Sequence, residues 1–311
     1  MKHTAKVTLL LVSLFLAAQL VGLFTITNYI EVNKQISESG EEITKISYPD
    51  TALGVQPEIN KENNSEMTTT VITIVMALLL GTGLLLLLIK FRLGKLWKLW
   101  FFMAIFLTLA ISFEVYTNII TAFIIAALLA AWRVLKPNPW VHNISEVFIY
   151  TGIAILILPL INVTGAIIIL LIISLYDMYA VWKSKHMVKM ATFMTENKLF
   201  AGLFVQYESA KKKIKKTKKV TIKKTIQVKS AILGGGDIAF PLLFSITVLE
   251  SLIVNTGVTK LVALSQTLII TLFVTISLLL LFLKSKKDKF YPAMPFLTAG
   301  CLIGYAILML F

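Results

Sequence analysis

Nine long apolar segments divide this chain, and they restrict its fold more than any other feature does. Of the 311 residues, 57% are hydrophobic, and the mean hydropathy of +0.84 is far above that of ordinary soluble domains. A run of about 20 apolar residues is long enough to cross a bilayer as a helix. The segments lie approximately at residues 7–29, 70–90, 99–117, 119–135, 144–162, 164–182, 231–254, 261–283 and 295–311. The sequence therefore predicts an all-α membrane protein with nine transmembrane helices.

These spans fill most of the length, so we expect one polytopic membrane domain over residues 1–311. Helices one to six fall within 7–182, a basic loop covers 183–230, and helices seven to nine fall within 231–311. The first apolar run is too long for a signal peptide, so we expect it to remain as the first helix. A tight turn near Asn118 separates the third helix from the fourth.

The distribution of basic residues predicts the orientation, because cytoplasmic loops carry an excess of lysine and arginine. With nine spans, the basic connections at 90–98, 133–136, 183–230 and 284–289 all fall on the same side as the N-terminus. The opposite side holds the 31–68 loop, with eight acidic residues against three lysines. We expect a multi-pass protein of the cell membrane, with the N-terminus and the 183–230 loop cytoplasmic and the C-terminus outside.

Composition excludes several classes of function. Cys301 is the single cysteine, so an intramolecular disulfide is impossible and a cysteine-based metal site is disfavoured. Neither a His-Glu-x-x-His nor a Gly-x-Ser-Gly motif occurs, which excludes zinc and serine intramembrane proteases. The lysine-rich run at 211–219 lacks the aromatic residues that stack on bases, so we expect contact with anionic lipid headgroups and no nucleic-acid partner. No metal and no cofactor is predicted.

Two aspartates lie inside apolar segments, where a carboxylate is costly and usually functional. Asp177 lies about five residues before the cytoplasmic end of helix six, and Asp237 about six residues into helix seven. At 1.5 Å rise per residue, both lie about 8–9 Å below the same edge of the membrane. Antiparallel neighbouring helices can therefore bring the two carboxyl groups face to face.

Two carboxyl groups held that close cannot both ionise easily, so they share one proton. The ionised member can then take a proton from water while the protonated member polarises a carbonyl group, with no metal or cofactor. The sequence therefore indicates an aspartic protease. A secondary transporter or cation-leak channel using the same aspartates is the alternative, although the chain lacks the internal repeat typical of transporters.

Glycine and proline mark the surroundings of these aspartates. Gly234, Gly235 and Gly236 remove side chains just before Asp237, where a backbone must come close to substrate or to helix six. Pro292 and Pro295 open the ninth segment and should leave backbone groups unpaired, which membrane proteins tolerate only beside a cavity or within protein. The β-branched stretch at 220–228 favours a short strand before helix seven.

The remaining ionisable residues suggest no second site. Glu114, Glu146 and Glu250 lie near predicted span ends, so interfacial solvation is expected. His142, like His3 and His186, lies at a span end or in a loop and is not expected to be a ligand.

Three motifs together resemble those of the presenilin and signal peptide peptidase family of intramembrane aspartyl proteases. They are Tyr176-Asp177 on helix six, Gly234-Gly235-Gly236-Asp237 on helix seven, and Pro292-Ala293-Met294-Pro295 at helix nine, with Met294 where the family usually has leucine. Order, spacing and number of spans match over essentially the whole chain, as in a microbial presenilin homologue. Prepilin peptidases share only the glycine-aspartate motif and lack the proline motif.

This resemblance implies a catalytic role for Asp177 and Asp237. It implies a supporting or substrate-binding role for Tyr176, Gly234, Gly235, Gly236, Pro292, Ala293, Met294 and Pro295. It also implies substrates that are single transmembrane helices, which must unwind before water can attack. By analogy, the unwound substrate would add as a strand beside residues 220–229, near the proline motif. Homo-oligomerisation is left open.

Overall fold

A computed structural model of the protein describes residues 5–36, 42–51, 54, 60–61, 63–184, 200–208, 228–285 and 291–310. These residues form nine α-helices and two small antiparallel sheets. The helices are α1 (Ala5–Tyr29), α2 (Asn64–Lys90), α3 (Gly94–Glu114), α4 (Ile119–Leu135), α5 (Pro139–Ile157), α6 (Val163–Tyr179), α7 (Gly236–Thr256), α8 (Lys260–Lys284) and α9 (Met294–Leu308). The strands are β1 (Glu31–Ile36), β2 (Glu42–Ser47), β3 (Gly202–Glu208) and β4 (Val228–Gly234), with β1 paired to β2 and β3 to β4.

Seven of these helices are long and apolar enough to cross a membrane, while α4 and α9, with 17 and 15 residues, are shorter. The mostly helical architecture agrees with the fold expected from the sequence. Four helices begin after an asparagine whose side chain accepts a hydrogen bond from a backbone N–H of the first turn, the usual role of this residue at a helix start. These asparagines are Asn63, Asn118, Asn138 and Asn162.

Helix α7 lies at the centre of the bundle. It contacts α1, α5, α6, α8 and α9. In the most apolar 18-residue stretch of α7, 67% of the residues are buried, whereas in the corresponding stretch of α2 only 11% are buried and the apolar residues mostly face outward. The outward-facing surface of such a helix suits lipid, whereas neighbouring helices surround α7.

The start of the seventh helix differs from the sequence-based expectation. Residues 231–234 belong to β4, and α7 begins only at Gly236. In β4, Ala231 and Leu233 are buried while Ile232 is exposed, so burial alternates as a strand requires. Burial in this apolar stretch follows the period of a strand, but its hydropathy alone cannot distinguish a strand from a helix. The expected strand at 220–228 lies outside the described residues except for Val228.

Candidate active site

Asp177 lies on α6, two residues before that helix ends and a π-helical turn at Ala180–Ser184 follows. Its side chain is 9% exposed. The carboxylate Oδ2 accepts a hydrogen bond of 3.1 Å from the backbone N–H of Met294, and the N–H of Ala293 also donates to this carboxyl group. A second bond between the same helices joins Ser174 Oγ and Thr298 Oγ1 at 2.7 Å.

These contacts show where the backbone groups of the proline motif are satisfied. Helix α9 begins at Met294 with Pro295 at its second position, and the first N–H groups of any helix lack partners within the helix. Two of the N–H groups at this start point to Asp177, where the positive end of the helix dipole suits a carboxylate. Pro292, Ala293 and Met294 are buried, so the motif packs directly against α6.

Asp237 is the second residue of α7 and is half-buried. The backbone N–H of Gly234 donates a hydrogen bond to its carboxyl group, and Asp177 is close enough to act on it electrostatically. The structure therefore brings the two aspartates of the sequence analysis to one place. Tyr176 lies beside Asp177 on α6 with a half-buried side chain.

Two of the three glycines before Asp237 are tightly surrounded. A Cβ on Gly234 would lie 3.1 Å from Asp237 Oδ2. A Cβ on Gly235 would lie 3.1 Å from Tyr150 Oη and 3.5 Å from the Ala201 carbonyl oxygen. A Cβ on Gly236 would meet only the ring of Phe240, at 3.4 Å. The absence of a side chain at Gly234 and Gly235 thus lets the Asp237 carboxyl group, Tyr150 and the Ala201 carbonyl oxygen lie close to the backbone. A side chain at Gly236 would meet the least obstruction of the three.

Pro241, four residues after Asp237, lies outside the three sequence motifs. It lies inside α7, where its missing N–H cannot donate to the carbonyl oxygen of Asp237. The next carbonyl, that of Ile238, accepts a hydrogen bond of 2.9 Å from Gln19 Nε2 on α1. The first turn of α7 is therefore fixed partly by α1.

An apolar cavity of about 370 Å³ lies beside Gly235 and Gly236. Its walls come from α2, α3, α5 and α7, and they include Ile74, Leu78, Ile105, Ile153, Ala154 and Leu243. Arg133, Glu146 and Tyr150 also border it, but nearly all of the wall surface is apolar. The cavity is therefore suited to apolar side chains.

The expectation that Glu146 and Glu250 are solvated at the membrane interface is wrong. Glu146 is 2% exposed and forms an ion pair with Arg133, while Glu250 is buried and binds Lys61 Nζ at 2.6 Å. His142 is also buried, and its Nε2 contacts the Gly202 carbonyl oxygen at 2.7 Å. In each of these three contacts the two residues lie far apart in sequence or on different helices. The sequence pattern within a single helix therefore does not indicate them.

In the part of the chain that the structure describes, no group of three or more His, Cys, Asp or Glu side chains is placed to hold a metal ion.

Comparison with known proteins gives three findings. The family model described as signal-peptide peptidase, presenilin aspartyl protease matches residues 51–311. Two solved structures of a presenilin family intramembrane aspartate protease, in space groups C222 and P2, are similar in fold. They have TM-scores of 0.59 and 0.55 at 17% and 16% identity, covering 97% and 96% of this chain and 98% and 96% of theirs. The curated proteins contain no match.

Proposed function

The chain belongs to the signal-peptide peptidase and presenilin aspartyl protease family, and from this premise we propose that Asp177 and Asp237 are its catalytic dyad. Membership indicates a presenilin-type intramembrane aspartyl protease, in a multi-pass integral membrane protein. The finer assignment, an endopeptidase of the Gly-x-Gly-Asp type, rests on one observation. Both carboxyl groups are within electrostatic range of each other at the meeting point of α6, α7 and α9.

In the proposed reaction the two carboxyl groups share one proton. Asp177 takes the ionised role, because among the described residues two backbone N–H groups donate to it and one, that of Gly234, donates to Asp237. Asp177 removes a proton from water as the oxygen attacks the scissile carbonyl carbon, and Asp237 gives its proton to the carbonyl oxygen. Asp177 then passes its proton to the departing amide nitrogen. The C–N bond breaks as Asp237 takes a proton back from a hydroxyl group of the tetrahedral intermediate.

The proposed substrates are transmembrane helices of other membrane proteins. The cavity beside Gly235 is apolar over most of its wall and has room for a few side chains rather than a whole helix. A substrate would therefore place side chains there while its backbone reaches the dyad. The groups around the dyad that support this role are Tyr176, Gly234, Gly235, Gly236, Pro292, Ala293, Met294 and Pro295.

The β3–β4 sheet suggests how an unwound substrate would be held. Asn143 on α5 covers the outer edge of β3, since its Nδ2 donates to Phe204 O at 2.8 Å and its Oδ1 accepts from Phe204 N at 3.1 Å. Phe204 lies opposite Ile232, so the N–H and C=O of Ile232 face the outer edge of β4. No described strand occupies that edge, and it leads directly to Asp237. We propose that the substrate adds there as a third strand.

The remaining assignments follow the same proposal. The chain is one polytopic domain with nine spans, in which α4 and α9 also cross the membrane despite their length. The 183–230 loop and the N-terminus are cytoplasmic, the C-terminus is outside, and the membrane is the cell membrane. The 183–230 loop, rich in lysine, contacts anionic lipid.

Cleavage of a tagged single-span protein in liposomes tests the proposal. We expect the purified protein to cut within the span, and Asp177→Asn and Asp237→Asn to lose at least about 100-fold in rate, the contribution of acid–base catalysis. Asp50→Asn serves as the control, because Asp50 is exposed and lies outside the helices. If both dyad variants fold and still cut at the rate of the control, the dyad assignment is wrong. A cation-flux assay then becomes the next measurement.

A further inference from the structure

Three buried side chains form an ionic cluster that the proposed reaction does not use. Arg133 on α4 and Glu146 on α5 are each 2% exposed, and Tyr150 on α5 is 3% exposed. Arg133 Nη2 donates to Glu146 Oε1, and the Tyr150 hydroxyl donates to Glu146 Oε2. An ion pair buried this deeply usually gives little net stability compared with apolar residues. Its presence beside the cavity therefore calls for another explanation.

The cluster holds the backbone that leads to Asp237. Arg133 Nη2 also donates to the carbonyl oxygen of Phe200 at 3.0 Å. The next carbonyl, that of Ala201, accepts a hydrogen bond of 3.2 Å from the N–H of Gly235. Residues 200–201 thus connect the guanidinium group of Arg133 to the glycine two positions before Asp237.

Tyr150 reaches the same glycine directly. Its Oη lies 3.1 Å from the position that a Cβ on Gly235 would occupy, so the hydroxyl group lies against the Gly235 backbone. Tyr150 and Asp237 are also within electrostatic range. Because Glu146 accepts from both Arg133 and Tyr150, one carboxylate fixes both contacts to Gly235.

We propose that Arg133, Glu146 and Tyr150 are positioning residues, which set the location of Asp237 relative to Asp177 by holding the backbone at Gly235. This inference rests on the proposed dyad and deepens it. None of the three donates to or accepts from a dyad carboxyl group. A misplacement of about 1 Å at a reacting group can reduce a rate about 100-fold, so loss of positioning would appear in kcat.

Two variants test this role in the full chain, assayed in liposomes with the tagged single-span substrate. Tyr150→Phe removes one hydroxyl, and Glu146→Gln keeps the shape of the side chain but loses its charge. Tyr116→Phe is the matched control, because the Tyr116 hydroxyl bonds Thr25 Oγ1 at 2.7 Å, a contact between other elements of the bundle. We expect kcat to fall about 10- to 100-fold in both cluster variants, with KM within about twofold. Tyr150 is buried and Tyr116 is 46% exposed, so Tyr150→Phe should lose more stability, and kcat is therefore compared at a temperature at which both variants remain folded.

A double-mutant cycle with Gly235→Ala separates positioning from simple loss of packing. The new Cβ would lie 3.1 Å from the Tyr150 hydroxyl and require it to shift by a few tenths of an ångström, so Tyr150→Phe should lower kcat less in this background than in the wild type. A role confined to fastening α4 to α5 predicts equal effects in the two backgrounds.

The outcomes distinguish this inference from the proposed function. If the wild type cleaves, Asp237→Asn does not, and the cluster variants keep the wild-type kcat, positioning is refuted and the dyad stands. A rise in KM with unchanged kcat would also refute it, since these residues would then contact substrate. If Glu146→Gln does not fold, Tyr150→Phe and the cycle decide. If the wild type fails to cleave, the dyad proposal falls, and the positioning role falls with it.

Discussion

Gly152 on α5 provides the sharpest test of how this bundle is packed. A Cβ at this position would lie 2.0 Å from the carbonyl oxygen of Thr108 on α3, 2.8 Å from its carbonyl carbon and 3.0 Å from its Cα. All three atoms belong to the backbone, so no side chain can rotate away. Small residues at such crossings let helix backbones approach closely in membrane proteins.

The cost of Gly152→Ala follows from this geometry. Ordinary van der Waals contact begins near 3.4 Å, so the oxygen is about 1.4 Å too close and the two helices must separate locally. Overpacking of a core costs about 1–3 kcal/mol, and we expect about 3 kcal/mol here because only backbone can move. Thr108 and Ile153 line the cavity, so its shape should change as well.

Reversible unfolding of the purified protein in mixed micelles, titrated with SDS, measures this loss. Gly81→Ala on α2 is the matched control, because nothing lies within 4 Å of a Cβ there. Alanine favours helix over glycine by about 1 kcal/mol, so the control should be neutral or slightly stabilising. If Gly152→Ala unfolds within about 0.5 kcal/mol of the control, the close α3–α5 contact is not present as described.

Three further predictions concern α9 and the Lys61–Glu250 pair. Gly300→Ala would place a Cβ 2.9 Å from Val274 Cα on α8, so it should destabilise by about 1–3 kcal/mol in the same titration. It should also slow cleavage, since α9 carries Met294; an unchanged rate would contradict that link. Lys61→Met should cost about 3 kcal/mol by leaving Glu250 buried without its cation, and a neutral result would mean that Glu250 finds another partner. Burial lowers the pKa of Lys61 below its ordinary 10.5, so the unfolded chain binds more protons just below that pH. The free energy of unfolding should therefore rise with pH from the lowered pKa toward 10.5, and this rise should be absent in Lys61→Met.

The sequence predicts the helices well because each apolar run carries its own signal. It also brings Asp177 and Asp237 together, since position within two consecutive segments is enough to compare their depth. It misplaces the start of α7, because residues 231–234 are apolar whether they form strand or helix. It does not predict that β3 pairs with β4, because the paired residues Gly202 and Gly234 lie 32 positions apart and the pattern within one segment carries no information on its partner.

The ion pair of Arg133 and Glu146 shows a different limit. Both residues lie near the ends of apolar segments, where solvated charges are common, so the expectation of exposure follows from their positions. Their burial depends on how α4 and α5 pack against residues 200–204. A charged residue within an apolar segment usually needs a partner of opposite charge. That rule would have paired Arg133 with Glu146 across the α4–α5 turn.

The short length of α9 has a consequence for the lipid around it. Its 15 residues extend about 22 Å at 1.5 Å per residue, less than the roughly 30 Å of a typical hydrocarbon layer. In the nine-span arrangement the bilayer must become thinner beside this helix, which draws headgroups and water inward toward Met294 and Asp177. Hydrolysis consumes water, so the mismatch would supply a reactant at the place where it is used. Bilayers of longer acyl chains would then resist the deformation and slow the enzyme.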